Sequence, residues 1–131
     1  MKCFMVKTMK IIIDTHIFLW ALSAPKKIAK DRRSELESLS NIIHVSSISI
    51  AELMIKASIG KLNVDFDPVE MIGKCGFELL SFSGEEAMLL KDLPFHHKDP
   101  FDRMLIAQSI ANQYPIMTDD EKFRAYGCRL V

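Results

Sequence analysis

Cysteine is scarce in this chain. Cys3, Cys75 and Cys128 are odd in number, far apart, and form no C-x-x-C pair. That argues against a disulfide framework or a thiolate metal site and points to a reduced, cytoplasmic compartment. An excess of one charge is also missing, since Lys plus Arg and Asp plus Glu number 17 each. A strongly basic footprint for non-specific nucleic-acid binding is therefore absent at the level of the whole chain. An enzyme that grips a polyanion through metal ions does not need one. The longest strictly apolar run, Ile17 to Leu22, is far short of the roughly 20 residues of a membrane span, so no membrane role is expected. Lys2, Lys7 and Lys10 surround no long apolar core, and no secretory signal is expected. His16, His44, His96 and His97 show no H-x-x-H or H-E-x-x-H spacing, and His96 and His97 read as loop residues.

What remains is an ordinary globular composition, 49% hydrophobic and 26% charged over 131 residues, enough for one domain with a real core. Met9 is an alternative start. Residues 1–8 then form an N-terminal extension and 9–131 the domain.

The organising stretch is Lys10-Ile-Ile-Ile-Asp14. Three β-branched residues favour a strand, and the lack of polar alternation predicts one covered on both faces, as in a parallel sheet. It ends at a carboxylate, Asp14, where ligands of open parallel sheets bind. Phe18 and Trp20 then read as core within a short apolar helix. Pro25 opens a charged helix over about 26–39, with Ile28, Ala29, Leu36 and Leu39 facing in. Its cations Lys26, Lys27, Lys30, Arg32 and Arg33 are interleaved with Asp31, Glu35 and Glu37, the pattern of a solvated face; an RNA-guiding patch is the alternative.

Residues 42–45 form a second strand. A helix over about 48–59 follows, with Ile48, Ala51, Ile55 and Ile59 as its inward stripe and Gly60 as its stop. Asp67-Pro68 starts a short helix, residues 77–82 a third strand, and Ser83 with Glu86 makes a capping box. Asp99-Pro100 starts a mostly apolar, buried helix to about Asn112. Residues 115–117 are a fourth strand and 128–131 a last one. Strands alternating with helices predict an α/β fold, a central parallel sheet with helices on both faces.

Acids stand at the strand-to-helix transitions. Asp14 ends the first strand, Glu52 lies in the opening turns after the second, Asp102 in the first turn of the apolar helix, and Asp119 and Asp120 after the fourth strand. In a parallel sheet these places share the carboxyl edge. Clustered carboxylates repel, and a divalent cation removes that conflict. Oxygen-only ligands favour Mg²⁺ or Mn²⁺ over zinc, with phosphate oxygens as natural co-ligands. The implied chemistry is metal-assisted phosphodiester hydrolysis. Each acid also has a plainer reading. Asp14 and Asp99 suit helix caps, Glu52 pairs in helical register with Lys56, and one of Asp119 and Asp120 suits a cap.

These residues resemble a known family. Ile-Ile-Ile-Asp14-Thr-His, Ser-Ile-Ser-Ile-Ala-Glu52-Leu, Asp99-Pro-Phe-Asp102-Arg-Met-Leu-Ile-Ala-Gln and Thr118-Asp-Asp120-Glu-Lys-Phe are similar to the motifs of PIN-domain ribonucleases, above all the VapC-type toxins of type II toxin–antitoxin pairs. The resemblance spans Met9 to Val131. It implies a three-layer α/β/α sandwich with a mainly parallel sheet, Mg²⁺ or Mn²⁺ dependence, and cleavage of RNA. It maps the acidic residues to Asp14, Glu52, Asp102 and Asp120, and has Asp99 support the helix start. Asp119 stands where the family usually has Arg. The resemblance also implies a homodimer and a cognate antitoxin that blocks the site. Thr15 and Thr118 are candidates for orienting a ligand or phosphate.

Two other readings compete. A phosphatase with Asp14 as nucleophile wants an acid two residues on, where His16 stands. A receiver-like module or a catalytically silent PIN-like scaffold is the non-enzymatic alternative. The receiver wants a late Lys where two acids stand, and the silent scaffold should lack one of the four acids.

Overall fold

The computed structural model describes residues 8–131. The expected extension over residues 1–8 lies outside the described residues except for Thr8. The elements are β1 (Lys10–Ile13), α1 (Thr15–Ser23), a 3₁₀ turn (Pro25–Lys27), α2 (Lys30–Glu37), β2 (Ile42–Ser46), α3 (Ser47–Ser58), α4 (Pro68–Lys74), β3 (Glu78–Leu80), α5 (Gly84–Met88), a second 3₁₀ turn (Leu89–Lys91), α6 (Pro100–Asn112), β4 (Ile116–Met117) and a final 3₁₀ segment (Glu121–Tyr126). The sheet order is β3-β2-β1-β4, and every pairing is parallel.

β1 is the centre, and its three isoleucines are completely buried. Because side chains alternate along a strand, Ile11 and Ile13 pack on one side with Ile17, Phe18, Val45 and Leu53. Ile12 packs on the other with Ile48, Leu105, Ile106 and Ile116. A triplet of isoleucines can thus anchor two hydrophobic layers, which makes the fold an α/β/α sandwich.

The caps read from the sequence are present. Asp67 accepts from Val69 N and Glu70 N, Ser83 and Glu86 form the capping box, and Asp99 accepts from Phe101 N and Asp102 N.

Several expectations are corrected. The helix expected over 26–39 splits into the 3₁₀ turn and α2, because Ile28 and Ala29 adopt extended backbone that drops Ile28 into the core. Leu39, expected inside, is fully exposed. On α3 the expected inward stripe turns outward beyond Ile48. Ala51, Ile55 and Ile59 face solvent, and the buried face is Ile48, Ser49, Glu52 and Leu53. Polar contacts set that rotation. The Thr15 hydroxyl donates to Glu52 Oε1 at 2.7 Å and lies 2.9 Å from Ser49 Oγ. The third strand shrinks to three residues, and the expected last strand is a single bridge between Ile116 and Leu130. Among the described residues no helix is long and apolar enough to cross a membrane.

Candidate active site

β1 is the switch point of the sheet. Its chain leaves toward β2 on one side, while β4 pairs on the other. Open parallel sheets leave a crevice beyond the strand ends at such a point. Asp14 stands there. Its Oδ1 accepts from Ile17 N at 2.8 Å, so it caps α1, while its Oδ2 accepts from the Thr118 hydroxyl beyond β4 at 2.5 Å. The capping reading of Asp14 and its place in the cleft thus hold together, one oxygen each.

β2 leads directly into α3. Ser46 caps that helix, and the helix carries Glu52 back over the strand ends. Glu52 is held by Thr15 through Oε1 and by Lys56 through Oε2, at 2.6 Å. Both Asp14 and Glu52 are more than nine-tenths buried.

The α6 cap presents Asp102 at the same edge. After β4, Thr118 Oγ1 accepts from Asp120 N at 3.0 Å. Asp120 Oδ1 accepts from Lys122 N, capping the final 3₁₀ segment. Asp119 turns the other way, into an ion pair with Arg32. Arg32 also donates to Thr118 O at 2.9 Å. One member of the basic run therefore reaches the cleft's edge rather than lying on a solvated face.

The result is a cleft of about 250 Å³ lined by Asp14, Thr15, His16, Trp20, Glu52, Lys56, Asp99, Asp102, Asp119, Asp120 and Phe123. Every acid singled out in the sequence reaches it. Trp20 lines it as well, whereas Phe18 is core as expected.

Crowding shows in the electrostatics. Burial pushes the Asp102 carboxyl up to about 7, helped by the nearby Asp99, Glu52, Asp120 and Asp14. Burial likewise raises Asp14, against the opposing hydrogen bonds from Thr118 and Ile17. Lys56 is raised chiefly by its hydrogen bond to Glu52.

The donor set is of carboxylate oxygens gathered in one cleft, where burial disfavours the ionisation of Asp14 and Asp102. That chemistry fits a hard divalent cation.

The sequence matches the PIN domain family model over residues 11–127. The chain belongs to the PIN domain family. PIN domains are a family of nucleases. No curated protein matches the chain. Among solved structures, this PIN domain is similar to VapBC2 from Rickettsia felis bound to a DNA fragment from its promoter: 21% identity, 93% of this chain and 96% of that one, TM-score 0.65. It is similar to a DNA-bound VapBC from Salmonella typhimurium at 17% identity, with the same coverage and a TM-score of 0.68. It is also similar to VapBC-5 of Mycobacterium tuberculosis, a member of a toxin–antitoxin family, at 18% identity over 88% of this chain and 89% of that one, with a TM-score of 0.57. At these identities the likeness establishes the shared fold.

One neighbour of the PIN-domain acids was not anticipated. His97, read as a plain loop residue, turns its side chain inward, with Nε2 3.4 Å from Asp102 Oδ2. Arg103 explains how. From α6 it donates to Pro94 O at 2.9 Å, pinning the loop against the helix. No spacing in the sequence announces His97, because its other partner, Tyr126, lies 29 residues on.

Proposed function

We propose that this PIN domain is an Mg²⁺- or Mn²⁺-dependent endoribonuclease and the toxin of a toxin–antitoxin pair. The observation that carries the reading is the convergence of Asp14, Glu52, Asp102 and Asp120 on one cleft, where burial, with the neighbouring acids adding to it, raises Asp102 to about 7.

In this reading Asp14, Glu52, Asp102 and Asp120 hold the cation. When bound, a divalent cation supplies positive charge for phosphate oxygens and a water of lowered pKa. The chain's own residues do the rest. Thr118 fixes Asp14, Thr15 fixes Glu52, and Asp99 sets the first turn of α6 so that Asp102 faces the cleft. Arg32 neutralises Asp119, which stays outside the ligand set.

RNA as substrate is supported by the flanks. One adjoining groove contains Lys56 and Lys61. Another shares Asp99, Asp102 and Asp120 with the cleft and continues past Phe95, Lys98 and Lys122. These lysines give a phosphate backbone cationic footing on either side of an acidic centre. The silent-scaffold reading loses ground because all four acids are present with their supporting hydroxyls.

The toxin role draws on the likeness to toxin–antitoxin structures. An antitoxin and a second copy of the chain are the proposed partners, and the outward face of α3, with Met54, Ile55 and Ile59 exposed, is a candidate surface for either.

The test is cleavage of single-stranded RNA by purified protein. Activity should require Mg²⁺ or Mn²⁺, stop in EDTA, and fall by at least about a hundredfold in Asp14→Asn with the fold retained. Full activity in Asp14→Asn, or cleavage that persists in EDTA, overturns the assignment. Growth arrest on expression, relieved by the neighbouring gene, tests the toxin role.

A further inference from the structure

The loop before α6 brings a histidine into the acid cluster, and the hydrogen bonds behind it decide which ring nitrogen carries the proton. The Tyr126 oxygen faces His96 N and His97 N at 3.0 Å each. Those two N–H donors take the lone pairs of the phenol, and Arg103 Nη1 adds a third donor at 3.4 Å. The phenol hydrogen is then left to donate, and His97 Nδ1 lies 2.9 Å away. Nδ1 must accept, so the ring proton sits on Nε2. The opposite tautomer would aim a further N–H at an oxygen with no lone pair to offer and strand the phenol hydrogen.

Among the described residues, Nε2 is buried without a hydrogen-bond partner. The side chain is only 8% exposed and points at Asp102 Oδ2 from 3.4 Å. His97, Asp102 and Asp120 could each place a donor atom within 4.8 Å of the others, which by distance alone would suit a three-ligand cation site. The tautomer argues otherwise, because a protonated nitrogen has no lone pair for a metal.

We infer that His97 is a positioning residue: its Nε2–H closes onto Asp102 Oδ2 when a cation enters the cleft and holds that carboxylate in its ligating orientation, without His97 becoming a ligand. The role rests on the cation reading of the cleft. Its physical logic is that ligating carboxylates are themselves held by outer hydrogen bonds, and losing such a partner typically weakens metal binding by 10- to 100-fold. Tyr126 sets the tautomer and anchors the loop; the phenol's three donors make that anchor rigid.

The experiment is Mn²⁺ binding by calorimetry in the absence of RNA, with pulsed EPR on the bound ion. His97→Ala should weaken binding about tenfold or more. His97→Gln, whose amide N–H reaches about as far as Nε2–H, should bind within about threefold of wild type. Wild-type Mn²⁺ should show no directly coordinated nitrogen, a readout that stands even where His97→Ala fails to fold. Unchanged binding in His97→Ala overturns the role, as does His97→Gln binding as weakly as His97→Ala. A coordinated nitrogen in wild type overturns it too, and makes His97 a ligand. Wild-type protein that binds no Mn²⁺ at all sinks the cation reading itself, a result distinct from binding that is indifferent to His97.

Discussion

Asp102→Asn removes an ionisation that burial opposes first and the neighbouring acids second. Asn is close in shape to the protonated acid but cannot ionise. In the folded protein the Asp102 carboxyl is raised from an ordinary 3.8 to about 7. Between those values the folded state holds a proton that the unfolded state has released. Stability therefore falls as pH rises through this window and levels off above about 7. From pH 5 to pH 8 the folded carboxyl loses its proton near 7, a drop of about 2.7 kcal/mol at 1.36 kcal/mol per pH unit. The side chain is 26% exposed, so solvent screening reduces this to about 1–2 kcal/mol. The assay is urea unfolding in EDTA at pH 5 and pH 8. The stability advantage of Asp102→Asn over wild type should already be present at pH 5, above the unfolded value of 3.8, and should grow by a further amount of about 1–2 kcal/mol by pH 8. Comparing the two proteins cancels the other titrating groups they share. Mg²⁺ at ten times its dissociation constant should return about 1.4 kcal/mol to wild type and little to the variant. A stability difference that stays constant from pH 5 to pH 8 would refute the reasoning.

Thr118→Val removes the hydroxyl between Asp14 and Asp120 while keeping the side chain's shape. It should cost about 1–2 kcal/mol in urea, because a buried carboxylate oxygen and a backbone N–H lose their partner, and weaken Mg²⁺ binding about tenfold by calorimetry; unchanged affinity would remove Thr118 from the positioning of Asp14. Ile55→Asp with Ile59→Asp places charge on the exposed face of α3. Cleavage by the isolated protein should change little, while self-association or antitoxin capture, read by size-exclusion chromatography, should be lost; an unaltered assembly would exclude this face.

The features legible in the sequence were local ones. The Ile11–Ile13 run could be read as a two-sided buried strand because burial of three consecutive β-branched residues follows from strand alternation alone. The Asp67-Pro68, Ser83–Glu86 and Asp99-Pro100 caps were readable because a cap is made within a few residues of its helix. Fold class followed from the alternation of strands and helices, and the acids' convergence from the rule that strand ends share an edge.

Side-chain direction was not legible where a distant partner sets it. The apolar spacing of α3 suggests an inward stripe, yet the hydrogen bond from Thr15 to Glu52, with Ser49 beside it, turns the Glu52 face inward and leaves that stripe at the surface. Asp119 and Asp120 are neighbours with the same chemistry. Only Arg32, 87 positions away, separates them, by taking Asp119 into an ion pair at the cleft's edge. His97 looked like any loop residue until Tyr126 and Arg103 anchored its loop beside Asp102. The sequence by itself determined the central strand, the layer order and which acids meet, since these follow from local propensity and strand polarity. The tertiary structure alone decided which oxygens stay open, which face of α3 is free and which proton His97 carries, because each depends on contacts between residues far apart in the chain.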